Sequence, residues 1–414
     1  MSDPDGDQPA GPGTSEQMRL APGQLVALGL AIAVCASLPM LLTGALAVQI
    51  RADLGFGATG IGAGVAAFFV AGSLGSVALG RVVERVGGRR GLQLAATLAA
   101  TSLLGVAAFG QGIVPLLAFL AFGGLANAAA HPATNLVLMR GVRERRRGLV
   151  FGIKQSAIPV ASLLGGLAVP AIGLTVGWRW AFAGAGVVAL LLAATVPHDI
   201  ARIAPRRVPD GSQLVDRLGP ARAPLLVVTV AAAFAALAAN PLAGFLTITY
   251  VDADVSEAAA GWLLALSSAI GVSARVTVGW LADRFTRLRL GAVGALLLGG
   301  AGSFGLLATG QTLPVVLGAF LGYALGWGWP GLLNFSVSSA RAQAPAAATG
   351  IVQTGIYFGA AVGPLGFGLV VDWVSLGFAW WLTACSAVIG GLLMLVGHYW
   401  LRRRTQPERG GHVA

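Results

Sequence analysis

Gly80-Arg-Val-Val-Glu-Arg-Val-Gly-Gly-Arg-Arg90 returns in altered form as Gly279-Trp-Leu-Ala-Asp-Arg-Phe-Thr-Arg-Leu-Arg289, 199 residues further along. Each stretch opens on glycine, places a carboxylate (Glu84, Asp283) one helical turn later, and closes on arginines. Each also follows a long apolar run. A second pair, Gly152-Ile-Lys-Gln-Ser-Ala-Ile and Gly350-Ile-Val-Gln-Thr-Gly-Ile, is 198 residues apart, while Asn135 and Asn334, like Pro115 and Pro314, differ by 199. Four correspondences whose offsets agree to within one residue describe a duplicated unit.

Composition says what the unit is made of. Over 414 residues, 56% are hydrophobic and only 10% charged, with a mean hydropathy of +0.79, which excludes an ordinary soluble domain. Apolar runs of roughly 18 to 25 residues, each enough for one bilayer-crossing helix, are separated by short polar breaks. They fall near 23–48, 59–79, 91–109, 113–139, 149–170, 178–196, 224–250, 258–279, 290–309, 313–337, 348–371 and 378–400. The expected fold is an all-α membrane protein with twelve transmembrane spans in two pseudo-symmetric six-helix bundles, 23–196 and 224–400. A polar tail over 1–22, a linker over 197–223 and a second tail over 401–414 complete the chain.

Arginines set the expected orientation. Arg81, Arg85, Arg89 and Arg90 lie between spans 2 and 3, Arg140, Arg143, Arg145, Arg146 and Arg147 between spans 4 and 5, Arg284, Arg287 and Arg289 after span 8, and Arg402, Arg403 and Arg404 after span 12. The other side holds Arg51, Arg179, Asp252, Asp254 and Glu257. The positive-inside rule then puts both termini in the cytoplasm. Most of the formal charge of +11 is this bias, so it gives no support to a nucleic-acid partner. Residues 1–22, with Asp3, Asp5, Asp7 and Glu16, read as a disordered tail rather than a signal peptide. Cys35 and Cys385 fall in spans and read as small buried hydrophobes, with no disulfide framework.

The paired stretches resemble the signature that follows span 2 in major facilitator superfamily transporters, roughly G-x-L-A-D-R-x-G-R-R/K. The second copy keeps Gly279, Leu281, Ala282, Asp283, Arg284 and Arg287, with Thr286 at the second glycine. The first keeps Gly80, Arg85, Gly87 and Arg89, with Glu84 for the aspartate. The resemblance covers almost the whole chain and implies a bacterial-type cytoplasmic-membrane carrier that alternates access by rocking its halves. It also implies that Glu84, Arg85, Arg89, Asp283, Arg284 and Arg287 form an inner gate; a charged loop anchored on headgroups is the alternative. Gly80 and Gly279 would allow a tight helix exit. Gly177-Trp-Arg-Trp-Ala-Phe at span 6 and Gly359-Ala-Ala-Val-Gly-Pro-Leu-Gly-Phe-Gly in span 11 fit the same family.

The chemistry-bearing residues lie inside the spans. Lys154 is the chain's sole lysine and sits in an apolar run, as does Arg275, with no acidic residue at similar depth. Buried cations are costly and ask for a function. In the fold this sequence resembles, spans 5 and 8 face each other, and two cations that meet there would repel unless an anion lay between them. Either could instead snorkel to the inner headgroups. Asn127, His131 and Asn135, spaced by four, make one polar stripe on span 4. Tyr323, Trp327, Pro330 and Asn334 make another on span 10. Gln155 and Gln353 are repeat partners, and Tyr357 stands one turn beyond Gln353. Each is a substrate contact or a tie between helices. Asn240-Pro241 reads as a local break in span 7, with the asparagine securing freed backbone groups.

The expected function is secondary transport of a small organic or inorganic anion, with resemblance to the cyanate and organic-anion branches of the superfamily. Efflux of amphipathic compounds is the runner-up. Coupling to protons or a counter-anion is open, His131 being the titratable group near the path. The expected partners are the bilayer and a small solute. No cofactor, metal or catalytic constellation is expected, and the chain should work as a monomer.

Overall fold

A computed structural model describes residues 22–141, 153–198, 200, 222–284, 289–340 and 345–405. Eleven of its helices are long and apolar enough to cross a membrane. One of them, Ala58–Phe109, has 52 residues, about 78 Å at ~1.5 Å per residue, against a hydrocarbon core of about 30 Å. It is two crossings joined at Gly87, whose φ of 83° and ψ of 173° are non-helical. The chain folds back there: a Cβ added at Gly91 would stand 2.9 Å from the Val83 side chain, eight residues earlier. Counted this way, the described residues hold twelve spans. Only glycine adopts this backbone region without strain, so the turn falls on Gly87. Gly80 and Gly279, expected as helix exits, lie inside helices, and a Cβ on either would meet nothing within 4 Å.

Span 1 is Gly23–Ala45, spans 2 and 3 share Ala58–Phe109, span 4 is Ile113–Leu138, span 5 Ile153–Gly173 and span 6 Trp178–Thr195. The second six are Ala223–Asp252, Glu257–Leu281, Leu290–Leu307, Thr312–Ser338, Ala348–Trp373 and Leu376–Trp400. Lipid-facing positions are large and apolar, among them Leu74, Val114 and Leu191, while Trp180, Trp262, Trp373 and Trp400 stand exposed near span ends. Inside, small residues let backbones approach. A Cβ on Gly44 of span 1 would lie 1.7 Å from the Ala243 carbonyl of span 7, and one on Gly166 of span 5 would lie 2.6 Å from the Ala265 amide of span 8. Spans 1, 2 and 5 of the first half thus meet spans 7, 11 and 8 of the second. Without a strong hydrophobic force between helices in lipid, such close packing is the main source of association.

Spans 7 and 10 are broken. Span 7 bends between Arg222–Ala239 and Pro241–Asp252, and the Asn240 side-chain amide donates to the Ala236 carbonyl at 2.7 Å, as the sequence suggests. Span 10 departs from the expected continuous helix: Thr312–Leu321 passes through a wide turn, Gly322–Gly326, and restarts as Pro330–Ala340. Pro330 has no N–H to give to the preceding turn, so the ladder stops at Trp327–Trp329. The stripe of Tyr323, Trp327, Pro330 and Asn334 is therefore not one helical face.

Candidate functional site

Lys154 lies at the start of span 5 with 6% of its surface exposed. Its ammonium donates to Asn135 Oδ1 at 2.5 Å and to the His131 carbonyl at 3.4 Å, with His131 Nδ1 also at 3.4 Å. All three acceptors come from span 4, whose four-residue spacing stacks them on one face. Asn127, one turn further along that face, donates to the Ser37 hydroxyl of span 1 at 3.3 Å. Ala33, Ser37, Asn127, Ala130, His131, Lys154, Gln155, Ala157 and Ile158 line one small pocket. The expected stripe on span 4 and the buried lysine of span 5 are thus brought together. Lys154 is not snorkelling: its partners are neutral groups within the protein.

Arg275, 7% exposed, is not part of that lining but bonds Gln155, which is. Its Nε and Nη2 donate to the Trp327 carbonyl at 3.3 and 3.0 Å, and Nη1 donates to the Gln155 carbonyl at 2.7 Å. The guanidinium also lies over the Trp327 ring, 5.6 Å from its centre. The broken ladder of span 10 explains the geometry, because the Trp327 carbonyl has left its helix and a planar fork reaches it from span 8. One cation therefore ties spans 8 and 10 of the second half to span 5 of the first. It uses three of its five N–H groups to do so.

Tyr323 is 1% exposed; its hydroxyl shares a hydrogen bond with Ser162 Oγ at 2.7 Å, and the Ser162 and Ser268 hydroxyls share another at 2.9 Å. Tyr323 and Trp327 pack edge to face at 5.3 Å. Both act here as ties across spans 5, 8 and 10. Gln353 and Tyr357 are half-buried on span 11, and Asn334 is half-buried on span 10; none lines the pocket.

Sequence reasoning missed Ser37, Ser162 and Ser268, because a serine in an apolar helix commonly bonds back to its own turn, as all but Ser162 also do here. It also could not find the Trp327 and Gln155 carbonyls, which every residue has.

Of the expected gate, Arg89 Nε donates to the Val196 carbonyl, just past span 6, at 3.3 Å, within its own half. Glu84 is half-buried and Arg85 exposed. Asp283 and Arg284 end the described helix with their side chains outside the described residues, and Arg287 lies outside them altogether. Cys35 is buried, whereas Cys385, expected inside, is exposed on span 12; neither forms a disulfide.

Twelve spans in two halves, with a polar pocket walled by spans 1, 4 and 5 beside the seam, define a membrane carrier. The profile of the major facilitator superfamily matches residues 28–211 and 225–413, and the chain belongs to that family. Solved structures share the fold: a D-xylose-proton symporter at 19% identity and TM-score 0.70, over 90% of this chain and 96% of the other, and the xylose transporter from E. coli in a partially occluded inward-open conformation at 17% and 0.71, over 91% and 99%. A putative tartrate transporter from Agrobacterium vitis is 30% identical over 158 residues. That match spans 36% of each chain, so this chain covers about a third of the relative's length. The protein is a multi-pass membrane transporter of that family.

Proposed function

We propose that the solute is a small organic anion and that Lys154 supplies the charge that receives it. The observation that carries this reading is the Lys154 ammonium: buried, lining the pocket, and bonded to an amide oxygen and a carbonyl rather than a carboxylate. An entering carboxylate would gain a charge-assisted bond where only neutral acceptors stand now. Asn127, Ser37, His131 and Gln155 offer further donors and acceptors around it. Similarity to a putative tartrate transporter over a third of the chain supports a hydroxylated carboxylate. Arg275 acts beside this pocket, orienting the anion through its two remaining N–H groups.

The arginine-rich loops face the cytoplasm on this reading, and both termini lie there. The close contacts of Gly44 with Ala243 and of Gly166 with Ala265 then seal the outer side, which makes this the inward-facing arrangement. Residues 23–196 and 224–400 are the two moving bodies, and one chain suffices for transport.

The test is flux in proteoliposomes. Small mono- and dicarboxylates, with and without hydroxyl groups, are offered beside D-xylose as a neutral comparator, under imposed proton and potential gradients. Uptake of a carboxylate that is lost in Lys154→Gln is expected. Transport of the neutral comparator in preference to every carboxylate would reject the anion.

A further inference from the structure

At the end of the molecule away from the arginine-rich loops stands a carboxylate that the solute pocket does not use. Asp372, in the last turn of span 11, accepts the backbone N–H of Ala58 on Oδ1 at 2.8 Å and that of Thr59 on Oδ2 at 2.7 Å. Those are the first two residues of span 2, in the opposite half. The N–H groups of a first helical turn have no partner within their helix and carry the positive end of its dipole. The residue before a helix commonly supplies the cap. Here it is Gly57, without a side chain to offer, and a Cβ there would lie 2.5 Å from Asp372 Oδ2. The cap is lent across the seam instead. The same seam is closed by backbone: a Cβ on Gly368 would stand 2.6 Å from the Ala58 carbonyl, and one on Gly62 would stand 2.2 Å from that of Pro364.

We propose that Asp372 is a positioning residue of the transport cycle, a latch whose cap on span 2 holds this end closed and is released each time the end opens. Alternating access requires these halves to part here, and parting returns both the carboxylate and the two N–H groups to water. Loss of the charged cap removes a stabilising contact present in one state and absent from the other, so the population shifts toward the state open at this end. Motion of the halves is all that this requires, whatever the charge of the solute.

Val65, fully buried on span 2, reports the opening, since it lies 3.6 Å from where a Cβ on Gly244 of span 7 would stand. The full chain is purified in detergent, where both ends meet solvent, with Cys35→Ala and Cys385→Ala removing the native thiols. Maleimide labelling of Val65→Cys should be roughly tenfold faster with Asp372→Ala, and intermediate with Asp372→Asn, which keeps one acceptor oxygen. Ala99→Cys, buried within the first half on span 3, should label slowly throughout. Equal Val65→Cys rates with Asp, Asn and Ala at position 372 overturn the latch. So does a parallel rise at Ala99→Cys, because the carboxylate would then merely hold the helices together. Should Asp372→Ala fail to fold, the comparison of Asp with Asn decides. No solute enters the measurement, so the result stands apart from the anion reading.

Discussion

A lysine and an arginine buried in apolar spans call for the same question and receive different answers. Lys154 keeps neutral partners and a pocket, whereas Arg275 spends most of its fork on two backbone carbonyls. Lys154→Gln should therefore lower anion affinity by roughly 10- to 100-fold, about 1.4 to 2.8 kcal/mol, measured by calorimetry on the purified protein, with Lys154→Arg milder. Asn135→Asp tests the same contact from the other side. It places a carboxylate on the ammonium 2.5 Å away and should compete with the anion, weakening binding while leaving the fold intact. Arg275→Lys keeps the charge and loses the fork, so it cannot hold the Trp327 and Gln155 carbonyls together. A loss of about 1 to 2 kcal/mol in thermal stability is expected, since a buried carbonyl goes unpaired. Unchanged melting of Arg275→Lys would leave that tie without energetic weight.

At the scale of elements, the turn between spans 2 and 3 rests on one backbone conformation. Gly87→Ala forces a Cβ into φ 83°, ψ 173° and should cost about 1 to 3 kcal/mol, read as a lower melting temperature. Gly80→Ala, in open helix, should cost nothing or stabilise slightly. Outside the membrane, Asp53 accepts Arg179 Nη1 at 2.6 Å and the Trp178 indole at 3.1 Å, pinning the segment after span 1 to the start of span 6. The Arg179 hydrogen bond, then that of Trp178, hold its carboxyl below the usual carboxylate range. A depressed folded pKa gives stability that is present above the unfolded value and lost as pH falls through the folded one. Asp53→Asn should then cost a small, solvent-screened amount at neutral pH, and the difference from the parent should close as the solution is acidified. The broken span 10 is the element the sequence concealed. Pro330 was visible, but a proline in an apolar run reads equally as a kink, and only the arrival of Arg275 shows where the freed carbonyl is satisfied.

For the whole molecule, the closed seam makes a bulky residue informative. Gly44→Val drives side-chain atoms into the Ala243 carbonyl, already 1.7 Å from a Cβ, so that end should fail to close. Flux should disappear while equilibrium anion binding persists, and loss of both together would mean misfolding instead. Asp283→Asn, in the arginine-rich motif, should likewise reduce flux more than binding if that motif gates the inner side. Twelve crossings and their approximate boundaries were legible in the chain, because hydrophobic length is a local property that lipid enforces span by span. Asn127, His131 and Asn135 were legible as one face of span 4, since helical spacing aligns residues four apart, whereas the arrival of Lys154 from span 5 on that face was not. The turn at Gly87, the carbonyls that hold Arg275, the Ser162 tie and the cap from Asp372 to Ala58 were decided by tertiary structure alone. They depend on backbone groups that every residue carries and on partners up to 314 positions away, and only the packing of one half against the other brings such groups within hydrogen-bond reach.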